Sequence, residues 1–132
     1  MLRKDPRELA AIFAGGMLGA AARVWISRNL VSPDGGWPWA VFLINITGAI
    51  VLAYSVTRLQ ERLPQSTYRR PFLGTGFCGA FTTFSTMEIE IVTLLRDGRA
   101  GLAVAYAAAS LLAGYLAIWV TTAGVRRLRR LT

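Results

Sequence analysis

The residues with the most distinctive chemistry are 74–86, which read GTGFCGAFTTFST. They lie inside a longer apolar segment, roughly Pro71 to Leu95, and combine glycines with several hydroxyl side chains. Glycine loosens helical backbone, and Ser and Thr compete for backbone hydrogen bonds, so the composition predicts an interrupted helix. At membrane depth such an interruption frees carbonyl groups that can hold ions. A tightly packed crossing of small residues is the alternative interpretation.

The composition as a whole indicates an integral membrane protein. Of the 132 residues, 54% are hydrophobic and only 17% are charged. Four apolar runs are long enough to cross the hydrocarbon core, and we predict spans at about 9–30, 37–57, 71–95 and 99–125. We therefore expect an all-α fold with one four-helix transmembrane domain over residues 1–132, and no cleavable signal peptide.

The distribution of basic residues predicts the orientation. Most of the 15 basic residues lie in the N-terminal tail, the loop after the second span and the C-terminal tail. With four crossings these regions share one side of the membrane, and their charge predicts the cytoplasmic side. Anionic lipid headgroups, rather than nucleic acid, then account for the net charge of +8. The basic residues in the two tails and the loop after the second span number eleven: Arg3, Lys4, Arg7, Arg58, Arg62, Arg69, Arg70, Arg126, Arg127, Arg129 and Arg130. On the other side we place Arg28, Arg96 and Arg99.

Several kinds of chemistry are excluded by the residues present. Cys78 is the only cysteine and the chain contains no histidine, so neither an intrachain disulfide nor a zinc site is expected. A histidine-based catalytic dyad is excluded, and no glycine-rich phosphate loop is present. We do not expect an enzyme.

The first and second spans each contain a polar residue in an apolar setting. Arg23 follows a Gly15–Gly19 packing motif. It either extends to the membrane interface or provides positive charge for an anion or a partner helix end. Asn45 lies well inside the second span, where its amide must be hydrogen-bonded. It either joins two helices or donates to a pore.

Polar residues also recur in the third and fourth spans. Glu88 and Glu90 lie on different faces of their helix, and we expect at least one to pair with an arginine or to face water. Tyr106, Ser110 and Gly114 recur every four residues and therefore share one stripe of a helix. The stripe serves either as a packing surface or as a line of hydroxyl groups beside a narrow wet path.

These features together resemble one family, the Fluc (CrcB) fluoride channels. The resemblance is strongest at residues 76–86, GFCGAFTTFST, and extends to residues 15–23, GGMLGAAAR. It continues through WPW at 37–39 and NITG at 45–48, and includes the Tyr106 and Ser110 stripe. It thus covers nearly the whole chain.

The resemblance implies a passive fluoride channel that exports fluoride across a bacterial or archaeal cytoplasmic membrane. It implies an antiparallel, dual-topology dimer with two pores and a break in the third helix. It also implies a central structural sodium ion, held by the backbone carbonyls of Gly79 and Thr82 from both subunits. Membrane lipid and fluoride would be its other partners.

The resemblance assigns roles to individual side chains. Arg23 would attract anions at the vestibule, and Glu90 matches an acidic position of the third helix. Two residues depart from the family pattern, because Met87 stands where a second phenylalanine is expected and Gly114 replaces a hydroxyl. The implied fluoride pathway comprises Asn45, Thr83, Phe84, Ser85, Met87, Tyr106 and Ser110.

The inverted subunit is either a second copy of the chain or a non-identical homologue. A homodimer of this kind needs both orientations to insert, whereas eleven basic residues against three favour one orientation. We therefore hypothesise that the natural partner is a non-identical homologue. Two other functions remain as alternatives: a small four-helix multidrug or cation transporter and a non-conducting membrane scaffold. The former is disfavoured because the first two predicted spans lack an acidic residue.

Overall fold

The computed structural model describes residues 5–62 and 68–130, apart from the side chains of residues 60–62 and 129. Every regular element within this part of the chain is a helix. Four stretches are long and apolar enough to cross a membrane: Pro6–Asn29, Trp39–Leu59, Pro71–Arg96 and Ala100–Leu128. These observations confirm the prediction of an all-α fold with four candidate spans. The elements are α1 (Pro6–Asn29), α2 (Trp39–Arg62), a π-helix (Pro71–Cys78), α3 (Gly79–Phe81), α4 (Phe84–Arg96) and α5 (Ala100–Arg130).

Glycines allow α1 and the π-helix to pack backbone against backbone. A Cβ atom added at Gly19 would overlap the carbonyl oxygen of Phe77, and one added at Gly76 would overlap the carbonyl oxygen of Ile12. Gly15 lies equally close to the carbonyl of Phe72. The Gly15–Gly19 motif therefore functions as the close helix-packing face that its spacing predicts.

Two contacts between distant residues show which ends of the helices lie together. The hydroxyl of Tyr68, just before the π-helix, donates to Oδ2 of Asp5 at 3.3 Å, and Asp5 caps the start of α1. The guanidinium of Arg99, just before α5, donates to the carbonyl of Gly35 in the loop between α1 and α2. The start of α1 and the start of the π-helix thus share one end of the bundle, and the two connecting loops share the other.

The buried core lies where α2, α4 and α5 meet. It is formed by Val41, Met87, Leu94, Ala103 and Tyr106, and Tyr106 is completely buried. In contrast, much of the outer surface is apolar and exposed, as at Phe13 and Leu111. Such a surface suits a chain surrounded by lipid or by another subunit.

Candidate functional site

The most irregular backbone within the third span lies at Thr82 and Thr83. The helix α3 ends at Phe81 and α4 begins at Phe84. Between them both residues are extended, with φ and ψ of −76° and 154° at Thr82 and −147° and 114° at Thr83. The hydroxyl of Thr83 then caps α4 by accepting from the amide of Thr86 at 3.3 Å.

Asn45 holds this extended segment against α2. Its Nδ2 donates to the carbonyl of Thr83 at 3.0 Å, and the amide of Thr83 donates to its Oδ1 at 2.9 Å. The side-chain amide can satisfy both groups in only one orientation, and one of its two N–H donors remains for another acceptor. The sequence left two interpretations open for Asn45. The structure shows the bond between α2 and the third span, and the second N–H of Asn45 is left as a donor for a pore.

The same hydrogen bonds release two carbonyl groups from helical pairing. In an uninterrupted helix the amide of Thr83 would donate to the carbonyl of Gly79, and the amide of Thr86 to that of Thr82. Here these amides donate to Asn45 and to the Thr83 hydroxyl instead. The carbonyls that lose these two amides are those of Gly79 and Thr82, and Gly79 is exposed. No cluster of three His, Cys, Asp or Glu side chains occurs among the described residues.

A cleft of about 380 Å³ opens beside Thr83. Hydroxyl groups converge there, with Oγ1 of Thr83 2.9 Å from Oγ1 of Thr86 and 3.5 Å from Oγ of Ser85. Two arginines line the cleft, which gives it a positive potential suited to an anion. Sequence reasoning had singled out Arg23 but neither Arg28 nor Ser27. The lining residues are Arg23, Val24, Ser27, Arg28, Val41, Thr83 and Thr86.

A second polar group lies in the core between α4 and α5. The hydroxyl of Tyr106 donates to Oε2 of Glu90 at 2.7 Å. Glu90 thus has a tyrosine partner that the sequence did not indicate, whereas Glu88 is exposed. One turn along α5, Oγ of Ser110 is buried and has no hydrogen-bond partner among the residues that the structure describes. Met87 packs in the same cluster as Tyr106 and is 6% exposed.

The remaining candidate residues face outward from the single chain. Phe84, the first residue of α4, is 68% exposed, and Ser85 beside it is also exposed. The structure thus brings most of the predicted pathway residues into two groups, one around Asn45 and Thr83 and one around Tyr106. Phe84 and Ser85 lie on the surface, available to a second subunit.

Comparison with known proteins identifies the family. Residues 10–122 match the model of the family described as CrcB-like protein, Camphor Resistance (CrcB). The chain belongs to the CrcB family. This result confirms the resemblance inferred from the glycine and hydroxyl motif, the WPW segment and the Tyr106 stripe.

Named relatives of the CrcB family match the chain over nearly its full length. The protein of Mycolicibacterium paratuberculosis named fluoride-specific ion channel FluC 1 is 52% identical over 129 residues, which are 98% of each chain. The Mycobacterium tuberculosis protein of the same name is 50% identical, again over 98% of each chain. A Streptomyces coelicolor relative, also named fluoride-specific ion channel FluC 1, is 39% identical over 95% of this chain and 81% of its own.

Proposed function

We propose that this multi-pass membrane protein is a fluoride-selective channel. The observation that carries the proposal is the match over 98% of both chains to a relative named as a fluoride-specific ion channel. In an acidic medium, fluoride enters cells as the neutral acid and dissociates in the less acidic cytoplasm. A passive channel in the cytoplasmic membrane would let the ion leave down its gradient.

The geometry supports a path lined by neutral donors. Fluoride is small and strongly hydrated, so a selective pore must replace its water with other donors. The chain offers the second N–H of Asn45, the hydroxyls of Thr83 and Ser85, and the hydroxyl of Ser110 in the core. The edge of the Phe84 ring is electropositive and suits the same ion. Arg23 beside Thr83 would concentrate anions at the entrance.

Tyr106, Glu90 and Met87 would shape the fluoride path without donating a hydrogen bond to the ion. Tyr106 and Glu90 satisfy each other, so they would set the shape and charge of the path beside Ser110. Met87 is a buried apolar residue and has no donor. It would exclude water from the path rather than hold the ion.

A sodium ion at the interrupted third helix fits the groups present. Sodium takes oxygen ligands, and in membrane proteins unwound backbone carbonyls provide them. The carbonyls of Gly79 and Thr82, which the family resemblance indicates, are among those released from helical pairing. Two such pairs from an antiparallel dimer would surround one ion. The ion would then join the subunits electrostatically.

The dimer would place Phe84 and Ser85 at a shared surface and form two pores. Exposure of Phe84 in the single chain supports this arrangement. The basic residues favour one orientation in the membrane, which supports a non-identical homologue as the inverted partner, with a second copy as the other possibility. A multidrug transporter is not supported, since Asp34 in a loop is the only acidic residue between positions 9 and 59.

Growth in fluoride tests the function in cells. Expression in a bacterium deprived of its own fluoride exporters should restore growth, together with a homologous partner if one is needed. Phe84→Ile should abolish the rescue. Phe13→Ile, which changes another exposed phenylalanine outside the pathway, should retain it. If cells with Phe84→Ile grew in fluoride as well as cells with the original chain, Phe84 would not belong to the fluoride pathway.

A further inference from the structure

Two buried polar atoms lack a hydrogen-bond partner among the side chains that the structure describes. They are Nε1 of Trp37 and Oγ of Ser110. Buried donors are nearly always paired in native proteins, and each exception calls for an explanation. Ser110 already belongs to the proposed pathway. Trp37 does not, and nothing in the pathway described so far uses its indole N–H.

Both atoms belong to neighbours of the same residue, Tyr106. The Trp37 ring contacts the Tyr106 ring edge to face, with centroids 5.5 Å apart and planes at 85°. Ser110 follows Tyr106 by one turn of α5, about 6 Å along the helix axis. The hydroxyl of Tyr106 donates to Glu90 and therefore does not donate to either neighbour. One unpaired group thus belongs to a ring that contacts Tyr106, and the other belongs to the next residue of the Tyr106 stripe.

The usual role of a membrane tryptophan does not explain Trp37. At the membrane interface a tryptophan keeps its N–H at the level of the polar headgroups. Trp39, two residues later, fits that description because it is 48% exposed. Trp37 instead packs against the core cluster of Val41, Met87 and Tyr106, with its N–H buried.

We infer that the indole N–H of Trp37 is an anion donor of the fluoride path, at the end of the bundle where α2 and α5 begin. The inference rests on the proposed function and adds a residue to that path. An indole nitrogen donates and cannot accept, so it suits an anion and not a cation. Because it is neutral, it can replace a water molecule of the ion without the tight binding of a fixed positive charge.

Trp37→Phe tests the inference because it keeps an aromatic ring and removes only the donor. The matched control is Trp39→Phe, in the same WPW segment. Both variants and the original chain are purified through a tag from the native host, so that any second subunit accompanies them. Fluoride efflux from liposomes is then measured with a fluoride electrode. Trp37→Phe should slow efflux by at least about tenfold, the effect of one lost hydrogen bond to a charged group. Trp39→Phe should stay within about twofold, as is usual for surface substitutions.

A second replacement separates the donor from the packing of the ring. Benzothienylalanine at position 37 has the shape of tryptophan but carries sulfur in place of the N–H. If Trp37→Phe does not fold, this variant decides the question. Slow efflux from a folded benzothienylalanine protein would support the inference, and efflux equal to that of the original chain would overturn it. Absence of efflux from the original chain would contradict the proposed function itself, and the inference with it.

Discussion

Asn45 and Thr83 exchange two hydrogen bonds across 38 positions of sequence, and this pair links α2 to the extended segment between α3 and α4. The Oδ1 atom of Asn45 takes the place of the Gly79 carbonyl as the partner of the Thr83 amide, and Nδ2 of Asn45 donates to the Thr83 carbonyl. The exchange explains how Thr83 remains extended at membrane depth with its amide and its carbonyl both hydrogen-bonded. It also explains why the Gly79 carbonyl is released on the neighbouring turn.

Replacing Asn45 with alanine should destabilise the protein. The buried amide of Thr83 would lose its partner, at a cost of about 1–3 kcal/mol in the free energy of unfolding, and the Thr83 carbonyl would lose the bond from Asn45. Thermal unfolding in detergent measures the effect. Asn29→Ala is the control, because Asn29 bonds to the carbonyl of Trp25 at an exposed position. Equal unfolding temperatures for the two variants would contradict the role of Asn45.

A methyl group at Gly19 should disrupt the contact between α1 and the π-helix. Gly19→Ala would place Cβ against the carbonyl of Phe77, and overpacking of this kind costs about 1–3 kcal/mol. Gly124→Ala on α5 is the matched control, since a Cβ there meets nothing within 4 Å. The control should unfold at the same temperature as the original chain or higher, because alanine favours helix. Tolerance of both changes would show that the helices are not in close contact at Gly19.

Sodium should stabilise the assembled protein. A ligand that binds only the folded state adds about 2.7 kcal/mol at one hundred times its dissociation constant. The unfolding temperature should therefore rise with sodium concentration at constant ionic strength. Potassium and a large organic cation provide the comparison. The same unfolding temperature in all three salts would exclude a structural sodium site at Gly79 and Thr82.

The basic residues should fix one orientation in the membrane. Asp34→Cys, introduced together with Cys78→Ala, places the only thiol in the loop between α1 and α2. An impermeant maleimide should label nearly all copies from the outside of intact cells, and permeabilised cells provide the value for complete labelling. Labelling of about half the copies in intact cells would indicate dual topology. It would favour two identical subunits over a non-identical pair.

The sequence predicted where the helices lie better than it predicted which groups they contact. Hydropathy located the four spans because each is a continuous apolar run, although α2 and α5 continue past the predicted ends at 57 and 125. The π-helical turn of Pro71–Cys78 was not predicted. It packs closely against α1, a contact that the local sequence does not show.

The candidate site was only partly predictable, because the sequence does not show which groups its residues contact in the fold. The cost of burying an amide indicated that Asn45 must be bonded, but only the packing of α2 shows that its partner is Thr83. At least one of Glu88 and Glu90 was expected to pair with an arginine or to face water, but the sequence did not indicate that Glu90 accepts from Tyr106. The inward position of Trp37 could not be predicted, because the sequence of the WPW segment does not show that one of its two tryptophan rings packs against the core.

The central claim is that this chain conducts fluoride selectively, and efflux from liposomes tests it most directly. The protein is purified from its native host with any second subunit, and loss of fluoride and of chloride is followed with ion-specific electrodes. Liposomes with a selective fluoride channel should lose fluoride rapidly with little loss of chloride, and Phe84→Ile should abolish the fluoride loss. A folded preparation that retains its fluoride, or that releases chloride equally fast, would contradict the central claim.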